Sequence, residues 1–191
     1  DWFKVTFKHK ERKQYWYRGQ WKYVRKKVEV YKVRNGASLV DTVYWTDLGP
    51  VVYRKGEKVK EEFVPNGYAL RWVGHDPGNE LKAFIRLNTT TSVSQVPEAL
   101  QTYQCPAQNF VAADNQGHIA MFAQQGKIPL RWKEQGKFLL LAGDSDQHWK
   151  GYIPRNHLPH IVDPTSGYVN STNQSPANSS YPYFLNWNYY G

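Results

Sequence analysis

Cysteine is almost missing from these 191 residues. Cys105 stands alone, which excludes an internal disulfide and any zinc site built on cysteine thiolates. No apolar run approaches the roughly 18 residues of a membrane-spanning helix, and the opening residues carry no signal-peptide pattern. Glycine-rich phosphate loops are absent, so nucleotide chemistry has no foothold. No Gly-x-Ser-x-Gly elbow occurs, and no serine falls in the strand, turn and helix setting that such a nucleophile needs. A Ser-His-Asp triad assembled from distant positions stays open, because chain order does not restrict it. The six histidines never form the close helical pair of a zinc protease. His157 and His160 come nearest, and Pro159 between them disfavours a helix.

Aromatic residues, by contrast, make up 16% of the chain, with eight Trp and fourteen Tyr, which suits a folded, strand-rich protein. The net charge of +9 is concentrated at one end: residues 1–34 hold twelve Lys and Arg against Asp1, Glu11 and Glu29. A basic, aromatic-rich segment of this kind fits a non-enzymatic binding module for nucleic acid or glycan. Yet its charges alternate with Trp2, Phe3, Val5, Phe7, Tyr15, Trp16, Tyr17, Trp21, Tyr23, Val24, Val28, Val30 and Val33 at a period near two. That period describes the solvated faces of twisted strands, and nucleic acid is the less expected partner.

Alternation and turn residues predict strands over 2–8, 15–17, 21–24, 28–33, 39–46, 51–53 and 58–63, with a further one over 68–73. This gives a β-rich subdomain, a small antiparallel sheet or barrel, over residues 1–73. His75-Asp76-Pro77-Gly78 breaks the pattern, and apolar spacing then predicts a helix over 81–88 and a second over 93–103, a helical insertion spanning 74–106. Residues 109–113 and 118–123 flank Asp114-Asn115-Gln116-Gly117 and read as a hairpin, with Gly117 at a position of positive φ. Beyond Gly126, Pro, Gly, Asn and Asp are dense, and loops this long in a compact chain are more often functional than idle. The expected fold class is α+β, mainly antiparallel β, with strands and functional loops over 107–191.

Near the C-terminal end, Asn170-Ser171-Thr172-Asn173-Gln174-Ser175 gathers amides and hydroxyls. As a plain surface loop it needs no further reading; as a functional loop it would aim an Asn amide at negative charge developing on a carbonyl oxygen. Four segments in series surround this choice: Gln108-Asn109-Phe110 running through to Gly117-His118-Ile119, Gly126-Lys127-Ile128-Pro129-Leu130-Arg131, Trp149-Lys150-Gly151-Tyr152-Ile153-Pro154, and Asp163-Pro164-Thr165-Ser166-Gly167-Tyr168-Val169-Asn170-Ser171-Thr172-Asn173. In this order they resemble the penicillin amidase (penicillin acylase) family. Weaker signals precede them, including Tyr17-Arg18-Gly19-Gln20-Trp21 and Thr46-Asp47-Leu48-Gly49-Pro50, where Leu48 stands at a position usually held by histidine.

The resemblance implies an N-terminal-nucleophile hydrolase with an αββα core, cut by self-processing from a precursor whose second chain begins with a serine. It makes this chain an interior part of that second chain, inactive alone, with the rest of the precursor as partner and a small-molecule amide as substrate. Asn173 matches the oxyanion-hole Asn. Gln108 and Leu87 match positions that line the acyl pocket, although enzymes favouring phenylacetyl groups carry an aliphatic residue at the first of these. No cofactor is required. Structural calcium is bound by some members, and Asp1 matches one carboxylate ligand. A periplasmic or extracellular location also follows from the resemblance alone.

Overall fold

The computed structural model describes residues 1–52, 67–131, 135–136, 138–172 and 174–185. The strand expected over 58–63 lies outside them. In chain order the elements begin with β1 (Trp2–Lys4), β2 (Gln14–Tyr17), β3 (Gln20–Tyr23), β4 (Arg25–Tyr31), β5 (Leu39–Thr46), β6 (Gly49–Val52) and β7 (Tyr68–Leu70). They continue with α1 (Glu80–Leu87), α2 (Val96–Ala99), β8 (Gln108–Ala113), β9 (Ile119–Gln125), β10 (Leu140–Leu141) and β11 (His160–Val162). The fold is α+β and mainly antiparallel. Two compact units form: Asp1–Trp72 with Gln135–His148, and Val73–Glu134 with Trp149–Gly191.

In the first unit, turn chemistry sets the hairpins. β2 and β3 are joined by Arg18 (φ 48°) and Gly19 (φ 79°), with Tyr17 opposite Gln20, the two-residue turn whose twist matches that of the strands. β5 turns into β6 through Asp47 and Leu48, where buried Thr46 donates its hydroxyl to the Gly49 carbonyl (3.0 Å) and accepts the Leu48 N–H (3.1 Å). The Asp47 N–H donates to the Tyr15 hydroxyl (2.9 Å), and burial pushes the Tyr15 pKa up to about 12. Leu48, standing where the resemblance expects histidine, packs into the core with Phe3, Tyr15, Val51 and Ala69.

The main sheet has the order β10-β1-β7-β6-β5-β4. Every pairing is antiparallel except β1 with β10, where Phe3 lies opposite Leu140. A parallel neighbour needs a long crossover, and here the chain leaves for the whole of residues 73–134 before returning. The returning segment closes the core. Leu140 and Ala142 join its buried cluster, and His148 stacks on Tyr17 at 5.2 Å with its Nε2 donating to the Ala142 carbonyl (2.9 Å). The basic residues lie over aromatic rings, Lys22 4.9 Å from the Tyr17 centroid and Lys8 5.9 Å from that of Trp21.

In the second unit α1 turns Ala83 inward, onto a cluster with Val93, Val96, Leu100, Tyr103, Ala120 and Phe122. Leu81, Phe84 and Ile85 remain exposed. The single helix expected over 93–103 is replaced by three consecutive short turns, Val93–Gln95, α2 and Leu100–Thr102. Pro97, in the first turn of α2, accounts for the break before it, since it lacks an N–H and its ring crowds the preceding turn. β8 and β9 form the expected hairpin, Gly117 adopts φ 92°, and β11 pairs on the other side of β9. Among the described residues no helix is long and apolar enough to cross a membrane.

Phe3 has no exposed surface at the centre of the first unit. Phe3→Ala is expected to cost about 3–5 kcal/mol in urea unfolding, from lost transfer energy plus the cavity left behind. A loss below about 1 kcal/mol, the size of an ordinary surface change, would mean that this cluster is not the core.

Candidate active site

The second unit brings the conspicuous sequence segments together, and each junction has its own chemistry. Gly126-Lys127-Ile128-Pro129-Leu130 runs beside Trp149-Lys150-Gly151-Tyr152-Ile153. Leu130 N–H donates to the Gly151 carbonyl (2.9 Å) and Ile153 N–H to that of Ile128 (2.9 Å). Ile128, Ile153 and Leu158 are buried together behind this ladder. Gly126 is required sterically: a Cβ there would lie 2.9 Å from both the Ala107 Cα and the Gln104 carbonyl oxygen.

Asp163 ties β11's end back to the hairpin. Its carboxylate accepts the Ile119 N–H (2.9 Å) and pairs with His118 Nδ1 (2.8 Å). Asp114 organises the hairpin turn, accepting the N–H groups of Gln116 (3.1 Å) and His118 (3.0 Å) on one oxygen and that of Val93 (3.1 Å) on the other. One carboxylate thus fixes the turn to the helical segment.

Asn109 makes the connection closest to the candidate catalytic loop. It sits where the β8–β9 register shifts, between Gln108 opposite Gln125 and Phe110 opposite Phe122. The bulge redirects its side chain along the sheet. Its Oδ1 accepts the N–H of Gln124, a residue at φ 51°, at 2.8 Å. Its Nδ2 donates to the Ser171 hydroxyl (2.9 Å). The amide orientation follows from these partners, because a backbone N–H can only donate.

Asn173 itself lies outside the described residues. Its flanks are described. Gln174 Oε1 accepts from the Thr172 N–H (2.6 Å) and hydroxyl (2.9 Å), and Gln174 Nε2 donates to the Asn170 carbonyl (3.2 Å). Beyond them lies a cavity of about 630 Å³ whose walls include Arg131, Ser175, Asn178, Tyr181, Tyr183 and Leu185. The Arg131 guanidinium sits 5.5 Å from the Trp149 ring centroid, and burial lowers its pKa from the usual arginine value.

The remaining sequence-derived candidates are Gln108, Leu87 and Asp1. Gln108 is exposed at the start of β8, while Leu87, ending α1, is half-buried against the cluster around Ala83 and Phe122. Asp1 belongs to the first unit, where its α-ammonium donates to the Arg71 carbonyl (2.9 Å). Among the described residues no three His, Cys, Asp or Glu come together in a group that could hold a metal ion. Asn109, Asp114, His118 and Asp163 were not singled out from the sequence. Asp114 and Asp163 carried a signal, the first opening the Asp114-Asn115-Gln116-Gly117 turn and the second preceding Pro164, whereas Asn109 carried none beyond its place in the Gln-Asn-Phe segment.

The His118–Asp163 pair has a defined pH signature. The hydrogen bond to Asp163 raises the His118 pKa, aided by the charges of Asp163 and Asp114. Asp163 is lowered, first by the Ile119 N–H and then by His118, and Asp114 first by the Val93 N–H. A raised imidazole stabilises the fold fully below its unfolded value near 6.5, and that contribution is lost as pH rises through the folded value. The lowered carboxylates act above their ordinary 3.8, and their contribution is lost as pH falls through their folded values. In an NMR titration His118 should titrate above 6.5, and Asp163→Asn should bring it down toward that value. A His118 pKa unmoved by the substitution would sink the pairing.

Comparison with known proteins shows what the chain resembles in sequence and fold. The family model described as penicillin amidase matches residues 1–191. The penicillin acylase 2 proenzyme of a Pseudomonas species is 29% identical over 101 residues, which cover 52% of this chain and 13% of that protein. The acyl-homoserine lactone acylase QuiP of Pseudomonas fluorescens is 26% identical over 164 residues, covering 85% and 20%. Thermostable penicillin G acylase from Alcaligenes faecalis superimposes with a TM-score of 0.75 at 20% identity, over 99% of this chain and 33% of that one. The chain therefore spans a fifth or less of the length of these curated relatives. With its whole length matched, it belongs to the penicillin amidase family.

Proposed function

We propose that this chain supplies part of the active site of an amidohydrolase that cleaves linear, non-peptide amides through an acyl-enzyme. The nucleophile comes from another part of the same precursor, and the 191-residue chain alone is inactive. The observation that carries this reading is the anchoring of the described residues that flank position 173. Asn109 holds Ser171 to the β8–β9 bulge, and the Gln174 side chain hydrogen-bonds back to Thr172 and Asn170. A hydrogen-bond donor stabilises a developing oxyanion well only if it is positioned beforehand, because reorientation during the reaction would use up the gain.

In this reading Asn173 donates its side-chain amide to the oxyanion, as the family resemblance suggests. The attacking residue forms a bond to the amide carbonyl carbon, the carbonyl oxygen takes the negative charge, and collapse expels the amine as its nitrogen gains a proton. Water then releases the acyl group. Gln108 faces the substrate from the start of β8, where its amide hydrogen-bonds a polar acyl group. Leu87 contributes apolar surface from α1, whose exposed Leu81, Phe84 and Ile85 extend the same character. Secretion to the periplasm or the cell exterior belongs to the same reading.

The test is made on the self-processed full-length gene product. Asn173→Ala should lower kcat by about 10²–10³-fold with little change in KM, the signature of a donor acting on the transition state. Asn109→Ala should lower kcat less, through a loosened loop. Correctly processed Asn173→Ala enzyme with undiminished kcat would end the oxyanion-hole assignment, and turnover by the isolated 191-residue chain would end the claim that it is inactive.

A further inference from the structure

The last strand of the main sheet offers a surface that the amidase reading does not use. β4 pairs with β5 from Arg25 opposite Trp45 to Tyr31 opposite Leu39, an unbroken seven-residue ladder with no bulge and no proline. Among the described residues its other side is the end of the sheet order. Val28 is 60% exposed, Val30 58% and Tyr31 51%. A long, flat edge with apolar residues is what sheet proteins usually blunt, and here the guards are the charges of Arg25, Lys26 and Lys27.

We propose that this edge pairs with the same edge of a second copy of the chain, antiparallel, about a two-fold axis at Val28. The charges select that partner. A two-fold axis perpendicular to a sheet keeps side chains on their own faces, so residues of equal parity meet. With the axis at Val28, Lys27 of each copy lies opposite Glu29 of the other, Arg25 opposite Tyr31, Lys26 opposite Val30, and Val28 opposite Val28. The Lys27–Glu29 contacts are ionic, Arg25–Tyr31 cation–π and Val28–Val28 apolar, while Lys26 offers Val30 only its aliphatic stem, and the interface is isologous. Moving the axis to Lys27 or Glu29 would instead set like charges face to face.

A second observation points the same way. Within one chain Glu29 lies directly opposite Asp41 across β4 and β5, two carboxylates in a position where like charges repel. Lys27 reaches Glu29 at 2.6 Å and is the cation that the described residues supply to it. The second copy's Lys27 would arrive opposite Glu29 from the other side, so that each acidic pair gains a second lysine. Lys26 is already laid over the Tyr44 ring at 5.5 Å, on the opposite face, and does not have to move.

Whichever alternate residues of β4 turn their backbone outward, an axis through Val28 matches N–H to C=O, because both sets are symmetric about that residue.

The experiment is sedimentation of the 191-residue chain over a range of concentrations. The expected result is a shift from 22.3 kDa to twice that mass as concentration rises. Lys27→Glu and Glu29→Lys should each weaken the dimer about tenfold or more, since each replaces two attractive pairs by two repulsive ones, and the double exchange should restore it. A chain that stays monomeric, a dimer indifferent to both single exchanges, or a double exchange that does not rescue would each overturn the proposal. Amidase activity plays no part in this readout, so the two proposals stand or fall separately.

Discussion

A single side-chain amide, that of Asn109, couples a sheet to a loop across 62 positions of sequence. Its acceptor meets the Gln124 N–H, which the register shift in the β8–β9 ladder turns toward it, and its donor holds Ser171. Because the Gln124 N–H can only donate, the amide oxygen takes it and the amide nitrogen is left to donate to Ser171. The bulge is therefore a device for aiming one amide along the sheet, and the loop's position follows from it.

The same logic recurs through the second unit. Three polar side chains, Asn109, Asp114 and Asp163, each satisfy backbone donors on one segment while gripping another. Apolar burial alone could not fix these loops. Ile128, Ile153 and Leu158 exclude water behind the paired segments, but directionless burial leaves register undefined. Register comes from hydrogen bonds such as Leu130 to Gly151, and from the absence of a Cβ at Gly126 where two backbones touch. Directed hydrogen bonds and one close backbone contact thus fix the loops of this unit.

The first unit works by a different balance. Aromatic and aliphatic residues at period two fill its interior, and the long basic side chains of the outer faces spread over exposed rings. The concentration of charge in residues 1–34 thus has a structural explanation in the described contacts. Where that covering stops, along the outer side of β4, charge and apolar residues are arranged in a pattern complementary to itself.

The sequence by itself determined the strand-rich class, the hairpin turning at Gly117, the strand over Leu39–Thr46, and the order of the four segments that mark the family. These are local matters: side-chain periodicity, turn conformations that few residues adopt, and short strings of residues. It also pointed to a helix over 93–103, which Pro97 divides, and to Asn173, Gln108, Leu87 and Asp1 through resemblance. Only the tertiary structure decided that residues 135–148 return to the first unit beside β1, that Asp163 grips His118, and that Asn109 is a strut. Each of these joins residues tens of positions apart. Nothing in the period of a strand records which distant donor its neighbour's side chain will meet, because that is fixed by a bulge and by packing of the whole unit.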